Sequence, residues 1–92
     1  MKFKMGKVVM TRGVNNRIAE DKDYTKFVID SLNRHENCDW GDILKEDKSE
    51  NEYSLQKGFR VLSCYTYKKK KKIWIITEAE RSATTILFPE EY

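Results

Sequence analysis

One proline (Pro89), one histidine (His35), two cysteines and four glycines are all that these 92 residues hold of the types that most often build hinges, metal centres and reactive sites. Cys38 and Cys64 stand far apart with no Cys-x-x-Cys spacing, so a Cys/His metal site would need three distant residues to converge. No apolar run approaches the roughly 20 residues that span a bilayer, and no membrane partner is expected. The basic start, Met1 to Lys7, leads into only Val8, Val9 and Met10 before Thr11-Arg12, too short for a signal-peptide core. A cytoplasmic chain with reduced thiols is therefore expected. Repeats and Pro/Ser-rich linkers are absent as well, so residues 1–92 read as a single domain.

What is present is charge and aromatic surface. Charged residues make up 36% of the chain and hydrophobic ones only 39%, which suits a thin, two-layer domain with a wet surface. Four Phe, five Tyr and two Trp compensate, because each buried ring removes about 150–250 Å² from water. The net charge of +3 conceals an asymmetry: residues 18–58 carry −5 and the remainder +8. An acidic middle between basic flanks can attract copies of itself, a basic protein surface or a nucleic-acid backbone.

Gly6 to Arg12 reads as a first strand, with Gly13 beyond it and Val14-Asn15-Asn16 as a turn. Tyr24, Phe27, Val28, Leu32 and His35 recur on one face of a helix that Asp21 or Asp23 can cap. Asp47-Lys48-Ser49-Glu50 has capping-box spacing, and Gly58 suits a left-handed C-terminal position, predicting a second helix over 48–57. Phe59–Tyr67, Ile73–Thr77 and Thr84–Phe88 read as strands, with lysines 68–72 at a hairpin tip. The expectation is an α+β fold ordered β-α-α-β-β-β. A C-terminal three-strand meander plus the first strand would form an antiparallel sheet, with two helices on one face.

Three clusters could carry function. The acidic loop Asp39, Trp40, Asp42, Glu46 and Asp47 could receive a basic partner, or Trp40 could plug the core while a neighbouring carboxylate caps a turn. Lys68, Lys69, Lys70, Lys71 and Lys72, flanked by Tyr65, Tyr67 and Trp74, could bind single-stranded nucleic acid by charge and stacking. The bland reading of the same lysines is a solvated tip that guards the sheet against aggregation. Glu78 and Glu80 could join Asp39 and Asp42 in a small metal-dependent hydrolase or nuclease. His35, at the end of an apolar stripe, reads as a packed or helix-capping histidine. No cofactor and no catalytic residue is expected.

The segments Asp39-Trp40-Gly41-Asp42, Gly58-Phe59-Arg60-Val61-Leu62-Ser63 and Lys72-Ile73-Trp74-Ile75-Ile76-Thr77-Glu78-Ala79 carry a resemblance, as does the stretch from Arg81 to Tyr92. They resemble a group of similarly small bacterial proteins of plasmids and other mobile elements, labelled "plasmid-related protein" or "type I restriction endonuclease subunit M". The likeness covers nearly the whole chain, and the group supplies no functional residues to carry over. The methyltransferase part of the label is not met here. Gly6, Gly13, Gly41 and Gly58 are scattered rather than gathered in a cofactor turn, and one proline cannot make an Asn/Asp-Pro-Pro motif. The resemblance implies a mobile-element accessory or counter-defence protein, such as an inhibitor of a CRISPR or restriction complex, acting by protein–protein contact. Independently of the resemblance, an apolar sheet edge on so small a domain suits a homodimer.

Overall fold

The computed structural model describes residues 3–92, with the side chain of Lys70 outside the description. Its elements are β1 (Lys7–Met10), α1 (Arg12–Glu20), α2 (Lys22–Glu36), α3 (Lys45–Lys57), β2 (Val61–Thr66), β3 (Lys72–Thr77) and β4 (Ala83–Leu87). The fold is α+β, but with three helices, so the order becomes β-α-α-α-β-β-β.

The additional helix replaces the expected turn at Val14-Asn15-Asn16. Thr11 caps it by accepting from the Val14 N–H, and Val14 is wholly buried with Ile18 packed one turn on. Gly13, Asn15 and Asn16 are weak helix formers, so tertiary burial of that pair overrides propensity here. A Cβ on Gly13 would press within 3.1 Å of the Phe88 ring, which explains a glycine inside this helix.

Asp21 then caps α2 through the Asp23 and Tyr24 N–H groups, and Tyr24, Val28, Ser31 and His35 face inward at helical spacing. α3 begins three residues before its expected start. Leu44 holds the cap position without a side-chain bond, so the capping box at Asp47 does not form; Glu46 and Asp47 instead lie in the first turn, favoured by the helix dipole. Gly58 ends α3 in the left-handed conformation at φ 77°, as expected.

The sheet runs β1-β4-β3-β2. The β2–β3–β4 meander is antiparallel as expected, but β1 pairs parallel with β4, Val8 opposite Thr84 and Met10 opposite Ile86. The wholly antiparallel sheet is thus corrected to a mixed one. The helices carry the chain from β1 across to the far edge, where β2 enters in the direction of β1. Two reversals later β4 points the same way and closes against β1.

Alternation assigns the faces. Val61, Ser63, Tyr65, Ile73, Ile75, Thr77, Thr84 and Ile86 turn toward α1 and α2, and the core joins Tyr65, Ile73, Ile75 and Ile86 to Val14, Tyr24 and Val28. Leu62, Cys64, Trp74, Ile76 and Leu87 form a second, also apolar face. α3 buries only Asn51 and Ser54; lacking an apolar stripe, it runs beside the edge of β2 instead of covering that face.

Candidate functional site

The most chemically suggestive contact is buried. Ser63 Oγ lies 2.6 Å from His35 Nδ1, and His35 Nε2 lies 2.9 Å from Thr77 Oγ1. The chain continues to Thr84 Oγ1 at 2.7 Å, and Thr84 donates to the Met5 carbonyl at 2.7 Å. That last acceptor sets every proton in the relay. Thr84 is committed to Met5, so Thr77 must donate to Thr84; His35 Nε2–H then donates to Thr77, and Nδ1 accepts from Ser63. Burial, aided by the Arg81 charge, lowers the pKa of His35 to about 4, so the ring is neutral near pH 7. Ser63 and His35 are both fully enclosed, so this pair is a strut tying α2 to three strands rather than a nucleophile and its base. The packed reading of His35 stands on that geometry.

The acidic loop divides. Asp39 is held by Arg34 at 2.8 and 3.2 Å, a bond that keeps its carboxyl below the usual range, and Arg34 in turn lies 4.8 Å from the Tyr65 ring centroid. Trp40 is buried against His35, and its indole N–H donates to Glu52 at 2.8 Å. Those two residues serve the fold. Asp42, Glu46 and Asp47 remain exposed.

The same loop covers the outer edge of β2. Cys64 N–H donates to the Trp40 carbonyl at 3.2 Å, and Asp42 N–H donates to the Cys64 carbonyl at 2.7 Å. Asn51 of α3 imitates a neighbouring strand: its amide donates to the Leu62 carbonyl at 2.7 Å and its oxygen accepts from the Leu62 N–H at 3.2 Å. Thr66 Oγ1 completes the row on Asp42 at 2.6 Å. Gly41 makes this approach feasible, because at φ 74° a Cβ would collide with the Cys64 carbonyl and the Tyr65 ring.

Between that covered edge and the C-terminal turn lies a groove on the second face of the sheet. One part, about 600 Å³, is lined by Asp42, Leu44, Asp47, Leu62, Trp74 and Pro89 among others. A neighbouring part of about 360 Å³ shares Asp47, Leu62 and Trp74 and adds Glu50, Asn51 and Arg60. Its floor is apolar, Leu62, Cys64 and the half-buried Trp74. Asp42, Asp47 and Glu50 supply carboxylates along the side of α3 and its preceding loop. Lys72, at the tip end of β3, and Arg60, just before β2, mark its two ends. Tyr92 stands edge-on to Trp74 at 5.5 Å, with the Arg60 guanidinium 5.6 Å from its ring. Leu62 was not singled out from sequence; Trp74 was read only as a stacking ring beside the lysines, and Glu50 only as part of a capping box. The available signal was a β2–β3 pattern apolar on both faces, although only one face receives helices.

The lysine tip keeps its charges, but one of its flanking aromatics is buried. Lys68, Lys69, Lys71 and Lys72 are exposed, while the side chain of Lys70 lies outside the described residues. Tyr65 is fully buried, and Tyr67 packs 5.0 Å from Tyr24 and 4.9 Å from Phe27. The Tyr65 ring is thus closed to a base, whereas Tyr67 stays half-buried with its ring packed on α2. Lys71, Lys72 and Arg17 do line a shallow pocket of about 370 Å³ beside Phe88 and Pro89.

The four carboxylates of the hydrolase reading do not converge. Asp42 binds at Cys64 and Thr66, whereas Glu78 follows Thr77, which pairs with Val61 at the other end of β2. Glu80 accepts from Ser82 at 2.8 Å, and Arg81 binds the carbonyls of Phe59 and Glu78. Among the described residues no group of three or more His, Cys, Asp or Glu is placed to hold a metal ion, and no helix is long and apolar enough to cross a membrane. No protein-family model matches this chain, and neither does any curated protein or solved structure.

Proposed function

We propose that this protein is a non-catalytic interaction module that binds an extended, basic segment of a protein partner in the groove beside α3. The observation that carries the reading is the pairing of an apolar, Trp74-containing floor with the carboxylates of Asp42, Asp47 and Glu50. A Lys or Arg side chain can lay its alkyl stem on Leu62 and Trp74 while its charge meets the carboxylates. β2 and β3 are six residues long, so the groove suits about five or six extended residues at ~3.3 Å each. The resemblance to mobile-element proteins supports the biological setting. There, an accessory or counter-defence factor would occupy a basic surface that a CRISPR or restriction complex uses for nucleic acid.

The test is an isotope-labelled titration with short peptides that alternate lysine or arginine with leucine. Shifts should concentrate at Leu62, Cys64 and Trp74, and the double change Asp42→Lys with Asp47→Lys should weaken binding by at least about tenfold. Binding that ignores both substitutions ends this reading. The basic pocket of Arg17, Lys71 and Lys72 favours a second one, contact with a nucleic-acid backbone. That reading requires salt-sensitive binding of single-stranded DNA or RNA, lost when Lys71 and Lys72 become glutamine.

A further inference from the structure

The two edges of the sheet are treated differently. Asn51, Trp40 and Asp42 occupy the outward backbone groups of β2, as described above. β1, at the opposite end of the strand order, has nothing beyond it in the sheet. Lys7 and Thr11 donate to the β4 side, to the carbonyls of Ser82 and Ile86 at 3.0 Å each. In a parallel ladder the N–H and C=O of one residue point to the same side, so the groups of Val8 and Met10 point away from β4. The side chains here are apolar and open: Val8 is 39%, Val9 36% and Met10 39% exposed. An apolar edge with free donors and acceptors is a template for another strand.

We propose that a second copy of this chain pairs with it through β1, antiparallel, with Val9 on the two-fold axis. The inference is independent of the groove reading. Three symmetric registers bring the outward residues face to face. Placing Val8 opposite Met10 of the other copy uses both outward residues of both strands and makes four hydrogen bonds. Centring on Met10 sets Val8 against Arg12, which already belongs to α1, and leaves two bonds. Centring on Val8 recruits Gly6, whose φ of 64° takes it out of the extended conformation.

Charge agrees with the first register. Lys7 then faces Thr11 of the other copy, and no two like charges stand directly opposite. Val9 meets Val9 at a non-hydrogen-bonded position, where side chains approach most closely. Four-residue strands bury far less than the ~1,200 Å² of a standard stable interface, so the association is weak, with a Kd on the order of 100 µM.

Sedimentation of the wild-type protein from about 10 µM to 1 mM should show a concentration-dependent rise toward the dimer mass. Val8→Pro removes an outward N–H without touching the β1–β4 ladder, so it should leave the circular dichroism unchanged and abolish that rise. Val9→Cys should form a covalent dimer under mild oxidation, since the paired Cα atoms sit about 4.5 Å apart. Val8→Cys should crosslink at least about tenfold less, because its counterpart lies two residues, about 6.8 Å, further along the strand. A wild-type protein that stays monomeric throughout overturns the proposal. So does a Val8→Pro variant that associates like wild type, or equal crosslinking by the two cysteine variants; should Val8→Pro fail to fold, the cysteine pair decides alone.

Discussion

His35 connects the helical layer to β2, β3 and β4 through a relay whose protons run one way, from Ser63 to the Met5 carbonyl. The enclosed ring has no place for a second proton: Ser63 would lose its acceptor, and Arg81 adds a like charge nearby. The unfolded chain binds that proton near pH 6.5, the folded chain only near pH 4. The stabilisation is therefore complete above about pH 6.5 and is lost as pH falls toward 4, about 3 kcal/mol in total. Urea midpoints measured across that window should show the loss, and His35→Gln, which cannot titrate, should flatten it. Below pH 4 any further decline belongs to carboxylates with depressed pKa values, such as Asp39 on Arg34.

Among elements, α3 departs furthest from the usual amphipathic helix. It contributes almost no apolar surface, and its attachment rests on directed bonds, Asn51 to Leu62 and Arg81 to the carbonyl of Ser54. Asn51→Ala leaves both Leu62 backbone groups without a partner and should cost about 1–3 kcal/mol by chemical denaturation. Asn51→Asp should cost no less, because a carboxylate would face the Leu62 carbonyl. The helix itself was legible in the Asp47–Glu50 spacing and in Gly58, although that capping box does not form. The role of α3 was not, because an asparagine that completes a sheet edge looks in sequence like any solvated asparagine. α1 escaped for a related reason: Val14 and Ile18 are only two apolar positions, set among Gly13, Asn15 and Asn16, and the partners that make them core come from β4 and α2. The meander was readable because strand periodicity and the lysine tip are local signals. Within the acidic loop, the sequence offered Trp40 as a core plug, which it is, but the partners of Asp39 and Trp40, Arg34 and Glu52, lie outside the loop and left no local signal.

At the scale of the molecule, stability is distributed from the β2–β3 hairpin outward. β3 lies inside the sheet and pairs on both sides, and β2 is closed by Asn51 and the Trp40–Asp42 loop. β1 has one neighbour and four exposed residues. Hydrogen exchange in dilute solution should therefore be slowest at Tyr65, Ile75 and Ile76, inside the β2–β3–β4 ladders, and fastest at Val8, Met10 and the 68–71 tip. Protection of the Val8 and Met10 amides under those conditions would contradict the open edge. The −5 and +8 halves of the chain also separate in space only in part, since Lys72 and Arg60 close the ends of a groove whose side carries acids.

Composition and periodicity alone determined the class of this fold, its meander, the cap of α2 and the stop of α3, because capping, turn chemistry and alternation act over a few residues. Tertiary structure alone decided that β1 runs parallel to β4, that His35 is a neutral strut, and that Trp74 and Leu62 share a groove with Asp47. Each of these joins residues distant in sequence, and such a contact depends on how the layers pack rather than on any local preference.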